Sequence, residues 1–98
     1  MKSQIRQNIV EILNAIKEGY GYDIYKAYVD IFPKVTMRSI YYHLKKGVSI
    51  KELEVARVEK EKGNYSWGPE AEKIYYRLGP EAEPKNDKRV KKFFEKKK

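Results

Sequence analysis

The run from Phe32 to Gly47 has few ways to fold, and it constrains the rest of the chain. Pro33 ends whatever precedes it, because it carries no N–H and restricts its neighbour. Thr36 has the hydroxyl that an N-cap uses to take an orphan amide of the first turn. Val35 and Ile40 stand at the N′ and N4 positions of a hydrophobic staple. Met37, Ile40, Tyr41 and Leu44 fall at i, i+3, i+4 and i+7, which is one apolar stripe. The remaining face shows Arg38, Ser39, Tyr42, His43, Lys45 and Lys46. Gly47 is suited to end the helix in the left-handed conformation. The spacing predicts a helix with one face for a core and another that is basic, aromatic and rich in hydrogen-bond donors.

Two more helices are predicted before it. Ile5, Ile9, Ile12, Leu13 and Ile16 recur at helical spacing from about Ser3, a candidate cap, to Glu18. Gly19-Tyr20-Gly21 breaks this helix and leaves a short extended link. The second helix starts near Tyr22-Asp23, where an acidic residue suits the positive helix end. Its stripe is Ile24, Ala27, Tyr28 and Ile31. The short connection to Thr36 is that of a helix-turn-helix.

After Gly47 the period changes from helical to alternating. Residues 48–51 read as a connection or a frayed extra turn. From Leu53 to Glu61, Leu53, Val55, Arg57 and Glu59 alternate with Glu54, Ala56, Val58 and Lys60. From Ala71 to Leu78, Ile74, Tyr76 and Leu78 alternate with Lys73, Tyr75 and Arg77. Val, Ile and Tyr favour such half-buried strands. The turn-rich segment from Lys62 to Pro69 joins them as a long hairpin tip, and Gly79-Pro80 ends the second strand. Three helices and then a β-hairpin make an α+β chain on the winged helix-turn-helix plan. Residues 1–80 are the expected domain, and 81–98 a linker and basic C-terminal tail. In the tail Val90, Phe93 and Phe94 share one face of a short helix capped by Asn86 or Asp87. A helix of that length is unstable alone. It needs the body, a second subunit or nucleic acid to dock on.

Composition removes several classes of function. The 98 residues contain no cysteine and one histidine, which leaves no disulfide, no thiol nucleophile and no zinc site. No base–nucleophile pair is visible, so an enzyme is not expected, and neither is a cofactor, a metal or a small-molecule ligand. No apolar run is long enough for a bilayer, and the N-terminus lacks the pattern of a signal peptide. A cytoplasmic location without membrane partners follows as an expectation. Abundant Lys and Glu without Cys would suit a thermophile. The formal net charge of +8 is concentrated near the end, where residues 85–98 hold eight Lys or Arg against Asp87 and Glu95. Such a segment attracts polyanions regardless of sequence; the plainer alternative is a solubilising tail.

Several short motifs resemble those of PadR-type winged-helix regulators. They are Gly21-Tyr22-Asp23-Ile24, then Ser39-Ile40-Tyr41 with Leu44-Lys45-Lys46, and later Tyr75-Tyr76-Arg77-Leu78. The segment Gly63 to Glu70 and the strand after it also resemble small archaeal winged-helix proteins. Together the resemblance spans roughly residues 5–80. It implies DNA binding and control of transcription. The chain departs from the PadR pattern in two places. Gly47 comes early, with residues 48–52 resembling an insertion, and a short basic tail stands where that family has a long dimerisation helix.

On this reading Arg38, Ser39 and Tyr42 meet base edges in the major groove, with Arg38 suited to a bidentate contact to guanine. Thr36 and the first-turn amides would hold a phosphate, and Lys34, Lys45, Lys46 and Lys51 would contact others. His43 would sit near a phosphate or against the hairpin. On the hairpin, Lys60, Lys62, Asn64, Tyr65 and Trp67 would follow a backbone or stack on unpaired bases; Tyr65 and Trp67 could equally fold back as core. Lys88, Arg89, Lys91 and Lys92 would add affinity for any sequence. Duplex DNA is the favoured partner and a sequence-specific regulator the first reading. A constitutive RNA-binding component, such as an accessory archaeal ribosomal protein anchored by its tail, is the second. A protein-binding adaptor is the third. A palindromic target would call for a homodimer.

Overall fold

The computed structural model of the chain describes residues 3–65 and 68–96, with side chains over 3–60 and 73–96. Helix α1 (Gln4–Ile16) begins where Ser3 accepts the Arg6 N–H at 3.3 Å. It ends at Lys17, whose backbone turns to φ 76° while its N–H still donates to the Leu13 carbonyl at 2.8 Å. Strand β1 (Glu18–Tyr20) follows at once, then α2 (Gly21–Ile31). Helix α3 (Met37–Ser49) is capped by Thr36, as its sequence predicts. Strands β2 (Leu53–Tyr65) and β3 (Gly68–Leu78) form the hairpin, and α4 (Lys88–Lys96) closes the described chain. No helix among the described residues is long and apolar enough to cross a membrane.

The predicted stripes meet in one core. Ile9, Ile12 and Leu13 of α1, Ile24 of α2, Ile40 and Leu44 of α3 and Leu53 of β2 are fully buried there. Each such side chain contributes about 1.5–3 kcal/mol by leaving water. Tyr28 packs among them and accepts a hydrogen bond from the Asn8 amide at 3.0 Å.

The winged-helix plan of three helices and a two-stranded wing is not the architecture observed. The described chain has four helices and a three-stranded antiparallel sheet in the order β1-β3-β2, an α+β fold. The segment expected to be a short extended link between the first two helices is a paired strand, matching Glu18 with Arg77, Gly19 with Tyr76 and Tyr20 with Tyr75. The hairpin is therefore anchored in a sheet at its base. Three residues are too few for a period to register, and their pairing edge lies far along the chain, so nothing local announced the strand. The tail likewise supplies a fourth packed helix.

Two finer expectations also change. Gly47 does not end α3; it lies inside the helix, where a Cβ would come within 2.8 Å of the Leu53 side chain. The helix runs on to Ser49, and the positive φ of 68° falls on Lys51. In β2 the register shifts between Val55 and Arg57, a bulge at Ala56. After it the faces exchange. Val55 and Val58 share the face of Leu53, opposite Tyr76 and Ile74, while Arg57 and Glu59 join Glu54 on the outer face.

The C-terminal segment is fastened to the body. The Gly79 and Glu81 N–H groups donate to the Glu52 and Lys51 carbonyls, each at 2.9 Å. The buried Glu11 carboxylate accepts the Lys85 N–H at 2.7 Å and the Asp87 N–H at 3.1 Å. The Gln7 amide donates to the Glu83 carbonyl at 3.0 Å, and the Asn14 amide to Asn86 at 3.1 Å. Gln7, Glu11 and Asn14 lie at i, i+4 and i+7, on the face of α1 away from Ile9 and Leu13. Asp87 caps α4 by accepting the Arg89 N–H at 2.8 Å. Val90 is 2% exposed, and Phe93 and Phe94 pack against the same core.

Candidate nucleic-acid interface

The solvent face of α3 follows from which of its residues the core takes. Ile40, Leu44 and Gly47 are buried, so Arg38, Tyr42, Lys45 and Ser49 line the opposite side at i, i+4, i+7 and i+11. Tyr42 is 62% exposed. Arg38, Lys45 and Lys46 are exposed, and none is ion-paired with a described residue. Lys34 is exposed in the turn before the helix, and Lys51 in the turn after it. The Thr36 hydroxyl oxygen accepts the Ser39 N–H at 3.0 Å. That oxygen holds the helix start, and Ser39 is half-buried beside it.

His43 lies at the edge of this face and turns toward the body. Its ring stands edge-on to Tyr42, with centroids 5.1 Å apart. Its Nδ1 is buried without a hydrogen-bond partner among the described residues. Burial, and then the nearby Arg6 charge, hold its pKa below the usual 6.5. The lowered pKa disfavours the cationic form of the ring. Arg6 itself is buried against Glu52, its Nε donating to the carboxylate at 2.6 Å.

The outer face of the sheet is equally rich in charge but differently arranged. Arg57 Nε donates to Glu18 at 2.7 Å and the guanidinium also reaches Glu59. Arg77 Nε donates to Glu54 at 2.6 Å. Arg57 further stacks on the Tyr75 ring at 3.9 Å, and the Lys73 ammonium lies 5.1 Å from the Tyr20 ring centre. The Arg57 pKa is raised, chiefly by its hydrogen bond to Glu18. Each arginine here is matched by a carboxylate of its own neighbourhood.

Between α3 and the sheet runs a groove of about 170 Å³ lined by Tyr20, Gly21, Tyr41, Lys45, Lys73, Ile74 and Tyr76. Val58 and Ile74 face each other across the hairpin and are both exposed. Tyr41, assigned above to the apolar stripe, is 43% exposed on the wall of this groove, its ring filling the space a Cβ of Gly21 would need. Sequence reasoning missed Tyr41, Val58 and Ile74 as surface residues. The Tyr41 position at the margin of the stripe was the available signal; the others depend on the bulge and on β1.

The remaining candidates fall elsewhere. Lys60 is exposed on β2. Lys62, Asn64, Tyr65 and Trp67 lie outside the residues whose side chains are described, and with them the choice between core and contact for the two aromatics. Lys88, Arg89, Lys91 and Lys92 are exposed on α4, which packs on α1 and α2. Arg89 is the exception among them. It grips Asp87 at 2.9 and 3.2 Å and lies over the Phe32 ring at 4.7 Å. Apart from Lys60 on β2, the sequence-predicted residues with described side chains therefore form two groups, one on and beside α3 and one on α4. Among the described residues no three of His, Cys, Asp and Glu come together to hold a metal ion. No protein-family model matches the chain, and no curated protein matches it.

Proposed function

We propose that this chain is a cytoplasmic DNA-binding protein that regulates transcription, with α3 laid in the major groove and the hairpin beside the flanking backbone. The observation that carries this reading is the unpaired basic face of α3. Arg38, Lys45 and Lys46 are charged, exposed and free of carboxylate partners among the described residues, and they flank an exposed Tyr42. The major groove is wide enough to admit a helix and presents a distinct donor–acceptor pattern for each base pair. Arg38, in the first turn, is the residue to read guanine, and the lysines hold phosphates. The short motifs that resemble those of PadR-type regulators, Gly21 to Ile24, Ser39 to Tyr41 and Tyr75 to Leu78, are consistent with this reading.

The exposed tyrosines favour a second reading. Tyr22, Tyr41 and Tyr42 present aromatic surface on α2 and α3, and unpaired RNA bases stack on such rings. A constitutive RNA-binding component, such as a ribosomal protein, would use them together with the basic α4. One competition experiment separates the two. Full-length protein is offered labelled duplex fragments of the source genome with an excess of purified ribosomal RNA at near-physiological salt. A few fragments that survive the RNA support the regulator and reveal its sites. Uniformly weak DNA binding with RNA preferred discards it.

A further inference from the structure

The two basic groups look away from each other. On α2, Gly21 meets Tyr41 of α3, whereas Asp23, Ala27 and Asp30 border Phe93 and Phe94 of α4. On α1, Ile9 and Leu13 face the core while Gln7, Glu11 and Asn14 hold the segment leading into α4. α1 and α2 thus form a middle layer with α3 on one side and α4 on the other. α4 is also a fixed surface, because Val90 is buried and Glu11 ties down the backbone before it. Its outward face carries Lys88, Lys91, Lys92 and Lys96 against Glu95. These lysines are exposed and not ion-paired with any described residue.

We infer that α4 is a second, sequence-independent site for the phosphate backbone of duplex DNA, so that one copy of the chain holds two duplex segments, one on α3 and one on α4. The inference rests on the α3 reading given above. Lysines suit this task because each is a point charge that follows phosphates without reading bases. A fixed helix on the far side of the middle layer is turned away from the duplex that α3 holds, so its charges are left for another.

The test is capture of a labelled duplex by a second, bead-bound duplex saturated with the full-length protein. Two variants accompany the wild type: Lys88→Gln/Lys91→Gln/Lys92→Gln/Lys96→Gln, which keeps good helix formers, and Arg38→Ala/Lys45→Ala. Binding of a single duplex is measured for each, and thermal melting confirms the fold. The wild type should capture the labelled duplex. The α4 variant should lower capture about tenfold or more beyond any loss in single-duplex binding, since several salt-dependent phosphate contacts go together. No capture by the saturated wild type overturns the inference, as does undiminished capture by the α4 variant, the result expected if two copies bridged through another surface. Failure of the α3 reading shows separately, as unchanged single-duplex binding by the Arg38→Ala/Lys45→Ala variant.

Discussion

On the outer face of the sheet Arg57 reaches Glu18 and Glu59, and Arg77 reaches Glu54; on α3, Arg38, Lys45 and Lys46 reach no described carboxylate. Both regions are exposed and both are dense in cations. The pairs on the sheet cancel at short range and present little net field to a ligand. The α3 cations keep theirs, and only unneutralised charge attracts a polyanion and releases its counterions. Counting basic residues along the chain cannot tell these regions apart; knowing where each guanidinium ends does.

The comparison can be broken most sharply at the one arginine paired out of water. Arg6→Met leaves the Glu52 carboxylate buried without its partner, and should cost about 3–5 kcal/mol of stability. Urea unfolding measures it. A loss under about 1 kcal/mol would put this pair with ordinary surface pairs. Next comes Arg38→Ala, which should weaken binding to a selected duplex by about 1–3 kcal/mol and relax preference at one base position. Its unfolding midpoint should not move. Uniform weakening across all sequences would reduce Arg38 to a phosphate contact.

Arg57→Ala sharpens the comparison from the other side. Its charge is already matched by Glu18 and Glu59, so duplex affinity should stay the same, and stability should fall far less than with Arg6→Met. An affinity loss equal to that of Arg38→Ala would show that pairing does not decide which cations bind. The smallest effect expected is that of His43. Its folded pKa lies below 6.5, so the unfolded chain binds the proton more readily. The contribution is therefore full above 6.5 and is lost as pH falls below it toward the folded value. Unfolding at about pH 7.5 and about pH 5.5 brackets the window where histidine titrates. His43→Gln should flatten the difference, and an equal pH dependence in both proteins would remove His43 from the account.

Much of the α3 surface was legible in advance because a helix face is a local property. Arg38, Tyr42, Lys45 and Lys46 were placed outward by the apolar stripe of Met37, Ile40, Tyr41 and Leu44. Tyr41 and Gly47 were misjudged because their roles depend on neighbours, Gly21 of α2 and Leu53 of β2. The hairpin was found, but its strands run to Tyr65 and from Gly68 through most of the segment expected to be a long tip, and the outer face was misassigned from Ala56 onward. Alternation assumes one residue per step, and a bulge breaks that count without any mark in the side chains.

The amino-acid sequence by itself determined the three N-terminal helices, their apolar faces and the caps at Ser3 and Thr36. Periodicity and capping act within a few residues, so they can be read without knowing the rest of the chain. Only the tertiary structure decided that Glu18–Tyr20 is a strand, that Gly47 makes room for Leu53, and that Glu11 fastens the segment before α4. It also decided which arginines are neutralised. Each of these depends on a hydrogen bond, an ion pair or a close contact with a residue remote in the chain, and such partners meet only when the core closes.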